Sequence, residues 1–217
     1  VRLIMRTIFL YITDTLSDGE YGHVLAELHS GRYLRDPSFR YDIILCGRTM
    51  KPVTTMGGIH LEPDTLIEDI LPTDGDLLLL PGADSWFDPD QSRVIAKVSE
   101  LLDEGIVIGA ICGATMALAQ AGLLDHRPHT SNDLAAIQMF CPGYKGGQHY
   151  VQEPAVTDGN LITASGLAPV EFAHQIFRRL DVMLPATLDA WHGLNTTGRA
   201  EYFYALMESL PEKNNKP

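Results

Sequence analysis

Short runs of nearly continuous apolar residues alternate along this chain with stretches in which apolar residues recur every three or four positions. The first pattern marks strands covered on both faces, the second amphipathic helices. Residues 6–12, 41–46, 76–80 and 106–111 are of the first kind. Residues 20–29 carry Tyr21, Val24, Leu25 and Leu28 at helical spacing, with Ser17 or Asp18 placed to cap that helix. Helices are also predicted at 91–103, 115–121 and 132–139, and a strongly amphipathic one at 169–180. Residues 150–156 and 161–164 read as two strands joined by a turn at Asp158-Gly159. The stretch 52–63 reads as an extended excursion, and 143–147 as a glycine-rich loop. Residues 185–210 read as helical, with Trp191, Tyr202, Phe203 and Leu206 on apolar faces, and the polar tail at 212–217 is expected to fray.

Alternation of strand and helix predicts an α/β fold: an open, mostly parallel sheet with helices on both faces. No internal repeat or linker divides the chain. One domain over 1–217 is expected, with a core at about 6–180 and a helical extension at 185–210.

Charge and composition narrow the partners. Asp and Glu outnumber Lys and Arg 28 to 16, a formal charge of −12, so neither nucleic acid nor an anionic membrane is an expected partner. No apolar run approaches the ~20 residues of a membrane span. Residues 1–5 are too short for a secretory signal, which makes the cytoplasm the expected location. The three cysteines, Cys46, Cys112 and Cys141, have no repeated spacing and suggest neither a disulfide framework nor a zinc site. No cofactor or metal is expected. The 143–147 loop lacks the phosphate-loop signature and leads into a strand rather than a helix.

Cys112 carries the chemistry. It ends the apolar run 106–111 and is followed at once by Gly113-Ala114 and a helical stretch. That is the pattern of a strand-to-helix elbow presenting one thiol at the carboxyl edge of a parallel sheet. There the amino end of the next helix favours thiolate and is expected to lower the thiol pKa. Loops after the first strand and after 76–80 should reach the same edge. The first brings Glu20, a carboxyl able to move a proton, although on position alone a solvated helix residue is the better reading. The second brings Gly82 and Ala83, whose N–H groups, with that of Gly113, can face an oxyanion. His129 lies in the loop after the elbow helix, where a base can return to the thiol or simply support the fold. Asn132 can orient it or donate a hydrogen bond. His149 and His174 are weaker candidates for a base.

Taken together, these segments resemble the PfpI/ThiJ-like family of the class I glutamine amidotransferase-like superfamily. The resemblance runs from about Arg6 to Leu180. It is carried by Glu20 opening the first helix, Leu80-Pro-Gly82, Ala110-Ile-Cys-Gly-Ala114, Asp158-Gly-Asn-Leu-Ile-Thr-Ala-Ser-Gly166 and Pro169-Val-Glu-Phe-Ala173. The resemblance implies a flavodoxin-like three-layer sandwich, a homodimer, and a nucleophilic Cys112 close to a protonated Glu20, with Gly82, Ala83 and Gly113 as the oxyanion hole. The chain departs from the family where many members have histidine: Gly113 follows the cysteine, and Asn132 stands in the later loop. Ala168-Pro-Val-Glu171 also lacks the histidine of the amidotransferases. These departures argue against a complete Cys-His-Glu triad.

Two functions compete. One is a small-molecule enzyme, hydrolase, amidase or glyoxalase-like, in which Cys112 attacks an electrophilic carbon and Glu20 shuttles the proton. The other is a non-catalytic oxidative-stress sensor or chaperone-like protein using an oxidisable Cys112, which would be trapped as a sulfinic acid beside the carboxyl group.

Overall fold

The computed structural model describes residues 3–211; the tail at 212–217, expected to fray, lies outside them. In chain order the elements are β1 (Ile4–Ile12), α1 (Gly22–Ser30), β2 (Phe39–Gly47), β3 (Val53–Thr54), β4 (His60–Leu61), β5 (Thr65–Leu66), β6 (Leu77–Leu80), α2 (Ser92–Asp103), β7 (Val107–Ile111), α3 (Gly113–Gln120) and α4 (Leu134–Phe140). They continue with β8 (Ala155–Asp158), β9 (Leu161–Ala164), α5 (Pro169–Leu180), α6 (Pro185–Thr197) and α7 (Ala200–Glu208).

Seven strands form one sheet in the order β5-β2-β1-β6-β7-β9-β8, parallel except for the edge strand β8. The architecture is a flavodoxin-like α/β sandwich. Helices α1 and α5 pack together on one face, and α2 and α3 cover the other. Coverage on both sides explains why every residue of β6 and β7 is buried and why those strands read as unbroken apolar runs.

Apolar runs locate only the covered part of a strand. β1 and β2 pair from Ile4↔Phe39 to Ile12↔Gly47, so both begin before the predicted 6 and 41. The added residues Ile4 and Met5 are solvent-exposed, and no burial signal marks them.

Four local expectations are corrected. Helix α1 starts at Gly22, not at residue 20; its N-cap is Tyr21, with no side-chain cap. Asp18 instead accepts the Gly57 N–H at 2.7 Å, and with Asp14 and Leu16 it ties down the β3–β4 hairpin. The predicted strand at 150–156 is replaced by β8 at Ala155–Asp158. Tyr150 and Val151 are diverted to pair with His129. Because Asp158 pairs with Leu161, the hairpin turn is Gly159-Asn160, and Asn160 Nδ2 anchors it to the Leu102 and Ile106 carbonyls.

The extension at 185–210 breaks into α6 and α7 at Gly198, whose φ of 68° is left-handed. Trp191 fastens α6 to the body. Its indole is buried, stacks edge-on against Phe177 and donates to buried Glu27 of α1, which also accepts two bonds from Arg32. Leu206 is buried on α7, but Phe203 is exposed rather than on a packed face.

Candidate active site

The strand order decides where chemistry can assemble. β1, β6, β7 and β9 are consecutive parallel neighbours, so the loops leaving their carboxyl ends converge at one edge. Three of these loops are legible in the sequence. The fourth, after β9, adds Ser165, Gly166 and Leu167, signalled only by small residues following an apolar run.

Cys112 is the N-cap of α3, at φ 58° and ψ −124°. A side chain seldom adopts that backbone conformation, and here it is over-determined. The Cys112 N–H donates to the Ala164 carbonyl at 3.0 Å, and the Thr115 hydroxyl donates to the Cys112 carbonyl at 2.6 Å. Thr115 is held in turn by Ser131 at 2.7 Å.

Glu20 lies against the thiol. Its carboxyl group is buried, Oε2 accepts the Gly82 N–H at 2.6 Å, and Cys112 and Ser17 lie close enough to pull its pKa down. Two glycines make the approach possible. A Cβ on Gly82 would sit 2.8 Å from Cys112 Cβ and 2.9 Å from Glu20 Oε2. A Cβ on Gly166 would sit 2.8 Å from the sulfur and 3.1 Å from Glu20 Oε1. Any larger residue at either position would displace the pair.

Asn132 spans the far side of the sulfur. The Gly166 N–H can only donate, and it faces Asn132 Oδ1 at 2.8 Å. The amide is thereby oriented with Nδ2 donating to Cys112 Sγ at 3.2 Å. These groups open onto a cavity of about 660 Å³, within the usual range for small-molecule sites. Its outer wall is apolar, including Met56 from the β3–β4 hairpin, Phe87 and Leu167.

Burial shapes the electrostatics. It pushes the Glu20 carboxyl above the ordinary carboxylate range, against the opposing pull of the Gly82, Cys112 and Ser17 hydrogen bonds. It also pushes the Cys112 thiol up, and the nearby Glu20 charge adds to that; the Asn132 and Gly113 hydrogen bonds pull the other way. The direction is opposite to the lowering expected from the helix terminus, because half-burial beside a carboxyl group outweighs the helix end.

Two of the proposed roles are also corrected. The Gly82 N–H, expected in an oxyanion hole, is already donated to Glu20. Ala83 and Gly113 remain at the cavity: the Ala83 N–H has no hydrogen-bond partner among the described residues, and that of Gly113 is directed at the Cys112 sulfur. His129 does not reach the thiol. It is fully buried, its Nδ1 meets the Arg127 carbonyl at 2.7 Å, its Nε2 meets the Tyr144 hydroxyl at 2.6 Å, and it does not line the cavity. Burial pushes its pKa down and favours the neutral ring. No histidine among the described residues lines the cavity. His129→Gln is therefore expected to cost about 1–3 kcal/mol of unfolding free energy by orphaning buried partners. The rate of Cys112 alkylation by iodoacetamide should stay within about twofold. A tenfold drop in alkylation at unchanged stability would return His129 to the site.

No group of three or more His, Cys, Asp or Glu among the described residues is arranged to hold a metal ion, and no described helix is long and apolar enough to cross a membrane.

A cysteine elbow facing a buried glutamate at the edge of such a sheet defines a recognisable class, and the chain belongs to the DJ-1/PfpI family, whose profile matches residues 6–179. The fold is that of the class I glutamine amidotransferase-like proteins. The chain is 43% identical over 205 residues to the uncharacterized protease YoaZ of Bacillus subtilis (strain 168), covering 94% of this chain and 98% of that protein. It is 42% identical, with a TM-score of 0.91, to the crystal structure of a ThiJ/PfpI family protein from Bacillus anthracis, covering 96% of this chain and 98% of the other. A DJ-1 superfamily protein from Agrobacterium tumefaciens matches at 31% identity and a TM-score of 0.77, over 90% of this chain and all of that one.

Proposed function

We propose that this chain is a cysteine-dependent hydrolase of small amide- or ester-like substrates. One observation carries the reading: a buried carboxyl group, its pKa raised by burial, lies beside a half-buried thiol in the lining of one cavity. A base is most effective when its pKa lies near the working pH, and burial moves Glu20 in that direction.

In the proposed cycle, ionised Glu20 takes the thiol proton as Cys112 Sγ bonds to the substrate's carbonyl carbon. The oxyanion forms beside the Ala83 and Gly113 N–H groups. Glu20 then passes that proton to the departing nitrogen or oxygen, and the carbon–heteroatom bond breaks, leaving a thioester. Water attacks the thioester. Glu20 accepts one of its protons and returns it to the sulfur, so one water is consumed per bond broken and no redox change occurs. The protease names of the Bacillus subtilis relatives support hydrolysis as the reaction type.

The test is p-nitrophenyl acetate, whose acyl group is activated enough to expose the intermediate. A stoichiometric burst of nitrophenolate is expected, with an acetyl group on Cys112 in the intact-mass spectrum after an acid quench. Linear release from time zero, with Cys112 unmodified, would refute the reading.

A further inference from the structure

A second depression of about 580 Å³ lies beside the thiol cavity, between α2 and α3. Phe87 lines both cavities. On α3 they take consecutive residues, Met116 in the thiol cavity and Ala117 in the second. Phe87 is therefore a wall common to the two. The second is walled mainly by Phe87, Ile95, Ala96, Ala121, Leu123 and Phe140. Among the described residues Asp88 is the one charged group lining it; Ser92, Ser99 and Gln120 also line it, and the side chain of Gln91 is already occupied by Tyr11 and Ser85. Phe87 and Phe140 are 51% and 59% exposed, so apolar surface is left open here that the core does not use.

Geometry sets how far the second cavity lies from the reacting carbon. An α-helix rises about 1.5 Å per residue, so the cavity's near edge, at Ala117, is about 7.5 Å along α3 from Cys112 and its far edge, at Ala121, about 13.5 Å. An extended chain covers roughly 3.3–3.6 Å per residue, which puts the near edge about two residues away, within reach of one long side chain.

We propose that this cavity is a subsite for a bulky apolar side chain, aromatic or branched, carried about two residues from the carbonyl that Cys112 attacks. The substrate class is then a short peptide or N-acyl amide with an apolar residue at that position. This rests on the hydrolase reading and deepens it.

The test uses the whole chain and three reagents: iodoacetamide, N-acetyl-Gly-Gly chloromethyl ketone, and N-acetyl-Phe-Gly chloromethyl ketone, whose Phe is second from the ketone. In each case Sγ forms a bond to carbon, halide leaves, and the thiol proton passes to solvent. The Phe reagent should inactivate faster than the Gly-Gly reagent by about tenfold or more. Ala96 is exposed on α2, and Ala96→Trp fills the cavity. It should bring the ratio of the two ketone rates close to one, with the iodoacetamide rate normalising for thiol reactivity in each protein. Should that variant not fold, Phe140→Ala, which removes an exposed wall, should lower the same ratio. A wild-type ratio near one, or a ratio that persists in the variant, overturns the subsite. Loss of the acyl burst, by contrast, overturns the hydrolase reading and leaves the ratio to be judged separately.

Discussion

Cys112→Ala is expected to lower ester turnover by about a thousandfold or more, with unfolding free energy unchanged or slightly increased. The sulfur is the nucleophile of the proposed cycle, and neither hydroxyl that also lines the cavity, Ser17 or Ser165, sits at the elbow: Ser165 Oγ accepts the Leu167 N–H. Stability behaves differently because the position is strained. At φ 58° and ψ −124° any Cβ is unfavourable, and such residues cost on the order of 1–3 kcal/mol. Alanine keeps the Cβ and the strain. Glycine removes both, so Cys112→Gly should unfold at higher urea concentration than either, by roughly 1 kcal/mol. A Cys112→Ala protein with turnover within tenfold of wild type would place the nucleophile elsewhere.

Glu20→Gln should separate charge from proton transfer. The amide keeps both contacts, since its oxygen can accept the Gly82 N–H and its NH2 can face the sulfur. Proton shuttling is lost, and turnover is expected to drop about 10²–10⁴-fold. The thiol should nevertheless ionise more easily. Glu20 raises the Cys112 pKa through its charge and its hydrogen bond, and removing the charge lets the pKa fall. Iodoacetamide rates measured against pH should therefore show a midpoint displaced to lower pH in the variant.

Stability provides a third readout. The folded-state pKa of Glu20 lies above its unfolded value, so between the two the native protein holds the extra proton. Wild-type stability accordingly declines as pH rises from the ordinary carboxyl range through the raised value, and levels off above it. The variant should lack that decline and should be the more stable protein at neutral pH. A variant that keeps turnover, or whose alkylation midpoint moves to higher pH, contradicts the role given to Glu20.

How much of this is legible from the chain depends on whether a signal is local. The unbroken apolar runs at 77–80 and 107–111 announce covered strands, and small residues after Ile111 announce the elbow at Cys112. Helix α5 is equally plain, with Phe172, Ala173, Ile176 and Phe177 forming its buried face. Other features depend on partners distant in sequence. Asp18 looks like a helix cap, yet it is taken by the Gly57 N–H, 39 residues away. Tyr150 and Val151 look like the start of a strand, yet they pair with His129. His129 looks like a returning base, but Tyr144 and the Arg127 carbonyl already occupy both ring nitrogens.

The sequence alone determines the layered α/β architecture and the elbow that carries Cys112, because burial on both faces and small residues at a sharp turn leave their mark in neighbouring positions. Only the tertiary structure decides that Glu20 is a buried partner of the thiol rather than a solvated one, that the Gly82 N–H serves the carboxyl group, and that burial raises both acids. Those outcomes depend on four loops meeting at one sheet edge, and hence on a strand order and a set of distances that no single stretch of chain encodes.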